Sequence, residues 1–254
     1  MYPEEIMNLQ GFFTENRSAA LAFSGGVDSA YLLYAGLKYG CDLTAYYVKA
    51  EFQPQFELDD AMRLAEQLGA RMKVIRVSVL GDEDVRANGP RRCYFCKRQI
   101  FSKIMEAAKA DGYSLVLDGT NASDDADDRP GMQALMELSV RSPLRECGLT
   151  KAQIRDFSKE AGLFTWNKPA YACLATRIQT GMAITEKDLE ITEYAESTLA
   201  AMGFRDFRVR KIGESAKLQV REEQLPLVLE RRREILDALN EKYKTITLDL
   251  EFRK

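Results

Sequence analysis

Short apolar runs bounded by glycine alternate with stretches whose apolar residues recur every three or four positions. Ala19 to Phe23 is an apolar run ending in Ser24-Gly25-Gly26, and a helical pattern follows from Val27 to Tyr39, stopping at Gly40. Leu43 to Val48 is rich in strand formers, Leu58, Ala61, Met62, Ala65 and Leu68 return to helical spacing, and Lys73 to Val79 predicts the next strand. A helix over about 98–110 and a strand over Leu115 to Leu117 continue the alternation. Strand and helix in turn, with strands apolar on both faces, predict an α/β fold with a doubly wound parallel sheet over roughly residues 15–180. After Gly181 the rhythm changes. A helix over Thr185 to Met202, strands over 207–212 and 216–220, a helix over Leu225 to Tyr243 and a strand over 245–252 predict a small α+β domain, which puts the expected domains at 1–180 and 181–254.

Composition narrows the class. Of 254 residues, 46% are hydrophobic and 30% charged, and no apolar run approaches the roughly 18 residues needed to cross a bilayer. Met1-Tyr2-Pro3-Glu4-Glu5 is acidic and has no signal-peptide core, so the cytoplasm is the expected location. A formal charge of −3, from 36 Lys and Arg against 39 Asp and Glu, advertises no surface for nucleic acid. Five cysteines, an odd number without an export signal, read as reduced thiols, metal ligands or catalysts. There is no histidine, which removes His-based triads, His-ligated zinc hydrolysis and imidazole proton relays.

Leu21-Ala22-Phe23-Ser24-Gly25-Gly26-Val27-Asp28-Ser29 carries the clearest chemistry. Adjacent glycines let successive N–H groups point into one concavity, and the helix beginning there adds its partial positive end. Ser24 and Ser29 supply hydroxyls, and Asp28 can hold Mg²⁺ against phosphates. No lysine follows at P-loop spacing, and the dinucleotide fingerprint is absent. The plain alternative is a glycine turn between strand and helix. Asp118 to Arg129, with five aspartates among Gly, Thr, Asn and Ser, reads as a loop at the carboxyl edge of the sheet, where open α/β folds bind ligands. SGGVDS resembles the PP-loop of the ATP pyrophosphatases, which implies cleavage of ATP between its α and β phosphates and transfer of AMP to a substrate oxygen.

Cys93 and Cys96 form a C-x-x-C pair in Arg91-Arg92-Cys93-Tyr94-Phe95-Cys96-Lys97, and Cys173 lies far downstream in Lys168-Pro169-Ala170-Tyr171-Ala172-Cys173-Leu174-Ala175. Two thiols on one turn can grip a metal, and the nearby basic residues favour thiolates. Three thiolates without histidine suit a [4Fe-4S] cluster with one open iron, able to hold an extra sulfide. The alternatives are a redox pair, core thiols, or four-thiolate zinc completed by Cys41 or Cys147, both of which read as structural.

Beyond the loop, the chain is similar to the LarE family of ATP-dependent sulfur transferases. The matching stretches are LAFSGGVDSA, RRCYFCKRQIF, LVLDGTNASDDADDRPGMQAL, VRSPLRECGLTKAQIR, NKPAYACLATRI and FRVRKIGESAKLQV. The resemblance implies adenylation of a carboxylate on pyridinium-3,5-biscarboxylic acid mononucleotide and its conversion to a thiocarboxylate, with sulfide or another sulfur donor as partner and a homo-oligomer as the assembly. The family divides between a sacrificial cysteine and a cluster; Cys93, Cys96 and Cys173 together resemble the cluster type. It further implies ATP and Mg²⁺ at Ser24, Gly25, Gly26, Asp28 and Ser29, with Gly119, Thr120, Asn121, Asp124 and Asp128 lining the nucleotide or activation site. Asp124 to Asp128 also reads as a solvated acidic loop. Glu196, Arg208 and Arg210 resemble the region that holds the substrate phosphate. Two arginines at i, i+2 on a strand share a face, as a phosphate clamp requires; the alternative is surface charge on an exposed strand. Asp28 and Cys173 are the expected catalytic residues. The rival activities are a PP-loop tRNA thiolase and an ATP-dependent amide ligase.

Overall fold

The structure, a computed structural model, describes residues 8–124 and 129–253, the side chain of Arg129 excepted. Its elements in chain order are α1 (Leu9–Glu15), β1 (Ser18–Ala22), α2 (Val27–Lys38), β2 (Asp42–Lys49), α3 (Gln55–Gln67), β3 (Arg71–Arg76), α4 (Glu83–Arg86), α5 (Arg92–Ala110), β4 (Val116–Leu117), α6 (Arg129–Glu137), α7 (Pro143–Glu146), α8 (Lys151–Glu160), α9 (Glu186–Ala201), β5 (Arg208–Ile212), β6 (Ser215–Gln219), α10 (Leu225–Glu230), α11 (Arg232–Leu239) and β7 (Thr245–Leu248). They divide into two compact units. The first comprises the described residues up to Ala50, with Gln55–Val79 and Cys93–Lys168; the second comprises Glu51–Pro54, Leu80–Arg92 and the described part of Pro169–Lys254.

In the first unit a parallel sheet runs in the order β3-β2-β1-β4. Side chains alternate across a strand, so each strand feeds two cores. Ala19, Leu21, Leu43, Ala45 and Tyr47 pack with Phe12 and Phe13 of α1, Leu32 and Leu33 of α2, Leu64 of α3 and Ile154 of α8. Their neighbours Ala20, Tyr46, Val48 and Val116 pack on the other face with Phe101, Ile104 and Ala108 of α5 and Leu135 of α6. Helices therefore cover both faces, and the sheet is doubly wound. The strand expected over Lys73 to Val79 is displaced to Arg71–Arg76, because pairing with β2 sets its register from Thr44↔Arg71 to Lys49↔Arg76. At the sheet edge it is largely exposed and does not need the apolar content of β1 and β2.

The second unit holds the sheet β5-β6-β7. β5 and β6 form an antiparallel hairpin around Gly213-Glu214, where Gly213 takes φ 58°. β7 pairs parallel to β6 after the crossover through α10 and α11. Val209, Ala216 and Leu218 pack with Ala195 and Leu199 of α9 and Ile235 and Leu239 of α11. The single helix expected over Leu225 to Tyr243 is broken at Arg231, which ends α10 and opens α11. In the same unit Asn88 is fully buried at φ 55°; its amide nitrogen donates to Gln179 O at 2.9 Å and Met182 O at 3.1 Å, while its Oδ1 accepts from Arg92 at 2.6 Å.

Candidate active site

β1 carries the chain into Ser24-Gly25-Gly26, and α2 begins at Val27 with Gly26 as its extended N-cap. Gly26 has no side chain to cap the helix, so the first N–H groups of α2 remain available to an anion. The two glycines have different reasons to be glycine. Gly25 takes φ 71°, and a Cβ there would lie 3.0 Å from Ala61 Cβ of α3. Gly26 has φ −78°, and a Cβ there would meet only Ser24 Oγ, at 3.4 Å. The serine hydroxyls brace the loop: Ser24 Oγ and Ser29 Oγ are hydrogen-bonded at 3.1 Å, Ser29 Oγ donates to Gly26 O at 3.2 Å, and Gly26 N donates to Ser24 Oγ at 3.3 Å.

The segment after β4 closes on this loop. A Cβ on Gly119 would lie 2.9 Å from the Ser29 amide nitrogen, so only glycine permits this approach to α2. Asp118 is buried between the hydroxyls of Ser142 at 2.6 Å and Thr120 at 2.5 Å; burial pushes its carboxyl up, against those two hydrogen bonds. Asn121 is fully buried, its Nδ2 donating to Asp28 Oδ1 at 3.4 Å and its backbone N–H to Asp124 Oδ2 at 2.8 Å. Asp124 is exposed, and Asp128 lies outside the described residues.

Asp28, in the first turn of α2, forms an ion pair with Lys151 through its second oxygen. Burial raises the Asp28 carboxyl above its usual range, and the hydrogen bond and charge of Lys151 pull it back only in part. Lys151 opens α8, whose N-cap Thr150 forms a capping box with Gln153. Sequence reasoning did not select Lys151. The Thr150-x-x-Gln153 signature places it in a first helical turn, but its direction depends on the packing of α8 against α2.

In the second unit, Cys173 caps a short 3₁₀ turn, Leu174–Arg177, and is half-buried. Three arginines hold the carbonyls around it. Arg177 donates to Ala172 O at 2.9 Å, Arg208 to Ala170 O at 2.6 Å and Arg210 to Thr176 O at 2.8 Å. Glu196 accepts from Arg177 Nε and Nη2, from Tyr171 O–H at 2.6 Å and from Val209 N at 2.9 Å. Burial, then the charges of Arg177 and Arg253, push the Arg208 guanidinium down to about 10, and the same causes lower Arg210. Arg208 is buried rather than displayed as surface charge. Arg177, like Lys151, was not selected from sequence; it lies four residues after Cys173 in a matching stretch.

Cys93 and Cys96 occupy the first turn of α5, which starts at Arg92, ahead of the expected 98. Cys41 and Cys147 lie in the core of the first unit, where burial pushes both thiols up to about 11; Cys41 Sγ also donates to Asn16 O. Among the described residues no group of three or more Cys, Asp or Glu side chains is gathered that could hold a metal ion.

No family model matches the chain. It is 34% identical over 235 residues to the pyridinium-3,5-bisthiocarboxylic acid mononucleotide synthase of Lactiplantibacillus plantarum, covering 91% of this chain and 84% of that protein. The chain belongs to the LarE family. This LarE family member is also 35% identical to an uncharacterized protein of Synechocystis sp., over 89% of its own length and 84% of the relative. A tRNA-specific 2-thiouridylase of Pseudothermotoga lettingae is similar over a shorter region, 28% identical across 58% of this chain and 53% of that one. The LarE chain is an enzyme of the PP-loop, ATP-using class. No helix among its described residues is long and apolar enough to cross a membrane.

Proposed function

We propose that this protein is an ATP-dependent sulfur transferase that adenylates a carboxylate of pyridinium-3,5-biscarboxylic acid mononucleotide and converts it to a thiocarboxylate. The observation that carries the reading is the likeness, across most of both chains, to a synthase whose name states that product. ATP binds with its phosphates against the amides of Gly25 and Gly26, the first turn of α2 and the hydroxyls of Ser24 and Ser29. Gly119, Thr120 and Asn121 form the adjoining wall, and Asp124 and Asp128 serve to bind the substrate. Hard oxygen donors suit Mg²⁺, which binds through one or two carboxylates plus substrate phosphates, and Asp28 is the carboxylate in the loop. A substrate carboxylate oxygen attacks the α-phosphorus, pyrophosphate leaves, and the acyl-adenylate carries AMP as its leaving group.

Arg208 and Arg210 bind the phosphate of the mononucleotide. Their burial and mutual repulsion with Arg177 and Arg253 support this, since a dianion would relieve both. Glu196, its oxygens already engaged by four donors, positions Arg177. Cys93, Cys96 and Cys173 hold a [4Fe-4S] cluster, which when bound supplies sulfide, drawn from free sulfide or another donor, to the activated carbon. One observation favours this thiol set: Cys41 and Cys147, the other two cysteines, are buried with thiols that resist ionisation. The enzyme works in the cytoplasm as a homo-oligomer.

The test is release of AMP and pyrophosphate from Mg²⁺-ATP with the mononucleotide, with tRNA or with ammonia and a carboxylate. Stimulation by the mononucleotide alone, abolished in Asp28→Ala, is expected. Stimulation by tRNA would make the protein a thiolase, and amide formation would make it a ligase.

A further inference from the structure

Building on the ATP-using reading above, we infer that Lys151 is an exchange cation: it occupies Asp28 while nucleotide is absent and passes to the phosphate oxygens when Mg²⁺-ATP arrives, releasing Asp28 to the metal. Both oxygens of Asp28 are engaged, one by Asn121 and the other by the Lys151 ammonium. A metal ion seated on this carboxylate competes with the ammonium already held there, since two cations would crowd one anion. Asn121 is fixed, because it is fully buried and its Oδ1 and backbone N–H are bound to Ser123 and Asp124.

Lys151 is free to move. Its side chain is 33% exposed on a flexible four-carbon stem, and its ammonium has three donors, of which Asp28 takes one. Its backbone stays in place, with the N–H donating to Ser123 Oγ at 3.0 Å. Arg155, one turn along α8, is a second cation whose field reaches Asp28. Its guanidinium is tied to the carbonyls of Trp166 at 2.6 Å and Lys168 at 2.9 Å, so it supplies a constant field. A triphosphate at the start of α2 carries more negative charge than one carboxylate and draws the ammonium from Asp28, while Mg²⁺ replaces it there.

Binding of α,β-methylene-ATP, an analogue that resists cleavage between its α and β phosphates, tests this by calorimetry with Mg²⁺ and with EDTA; adenosine is the phosphate-free control. Lys151→Met should weaken the analogue at least tenfold in both buffers and leave adenosine binding unchanged. Asp28→Asn should strengthen the analogue in EDTA, since Lys151 is then unengaged, and the gain should vanish in the Lys151→Met/Asp28→Asn double variant. Unchanged analogue binding by Lys151→Met, equal loss of adenosine, or no gain in Asp28→Asn would each overturn the exchange. These readouts do not involve sulfur transfer. A parent protein that binds no analogue would instead sink the ATP reading itself.

Discussion

Arg177 and Glu196 are joined by two hydrogen bonds, Nε to Oε1 at 2.7 Å and Nη2 to Oε2 at 3.0 Å, with the side chains 1% and 6% exposed. Because Arg177 also holds the carbonyl before Cys173, the carboxylate acts on the cysteine at second hand. Glu196→Gln leaves a buried guanidinium without its counter-charge, which costs about 3 kcal/mol or more in such settings. Urea unfolding should show that loss, and Cys173 in the folded variant should be alkylated faster than in the parent. A variant with parental stability and parental alkylation would remove the coupling.

The adjacent glycines of the PP-loop should respond differently to the same substitution. Gly25→Ala places a Cβ in a left-handed conformation and against α3, so a loss of roughly 1–3 kcal/mol is expected in denaturant melts. Gly26→Ala meets no such obstacle within the protein. It should melt like the parent yet release little AMP, since the added methyl stands where phosphate approaches the backbone. Parental AMP release by Gly26→Ala would place the phosphates elsewhere.

The thiols divide into two groups. Anaerobic reconstitution should load iron and sulfide in near-equal amounts, and Cys93→Ser, Cys96→Ser and Cys173→Ser should each lose both, whereas Cys41→Ser and Cys147→Ser should not. With thiols pushed up to about 11, Cys41 and Cys147 stay protonated near pH 8, and their alkylation should accelerate only as the pH nears that value. Zinc in place of iron, or a Cys173 lighter by one H₂S after turnover, would overturn the cluster.

Arg208→Ala and Arg210→Ala should bind ATP like the parent and need at least tenfold more mononucleotide, equivalent to about 1.4 kcal/mol of lost affinity. Each also releases a carbonyl of the Cys173 loop, Ala170 in one case and Thr176 in the other, so sulfur transfer at saturating substrate should slow as well. If ATP affinity fell equally, the arginines would belong to the pyrophosphate end; if neither changed, they would serve the loop alone.

The parallel sheet and the PP-loop were legible because local pattern decides them: β1 and β2 are short and apolar on both faces, and two glycines mark the turn into α2. Legibility failed where tertiary partners decide. Met62 fits the apolar spacing of α3 yet is 55% exposed, while Leu64 faces the core. Helix α5 begins ahead of its amphipathic stretch, where Tyr94 is buried and hydrogen-bonded to Glu137 of α6 at 2.7 Å, a contact 43 residues away in the chain. The same limit hid Lys151 and Arg177. Their roles arise from which carboxylate faces them, and residue type and spacing carry no record of that.

The backbone passes repeatedly between the two units, and Leu80–Arg92 belongs with the C-terminal one. Cutting the chain after Lys168 would strip Asn88 and Arg92 of the carbonyls of Gln179, Met182 and Ala175, which accept from them. A single cut therefore cannot separate the two units, and a fragment meant to isolate the nucleotide loop must also lose Leu80–Arg92.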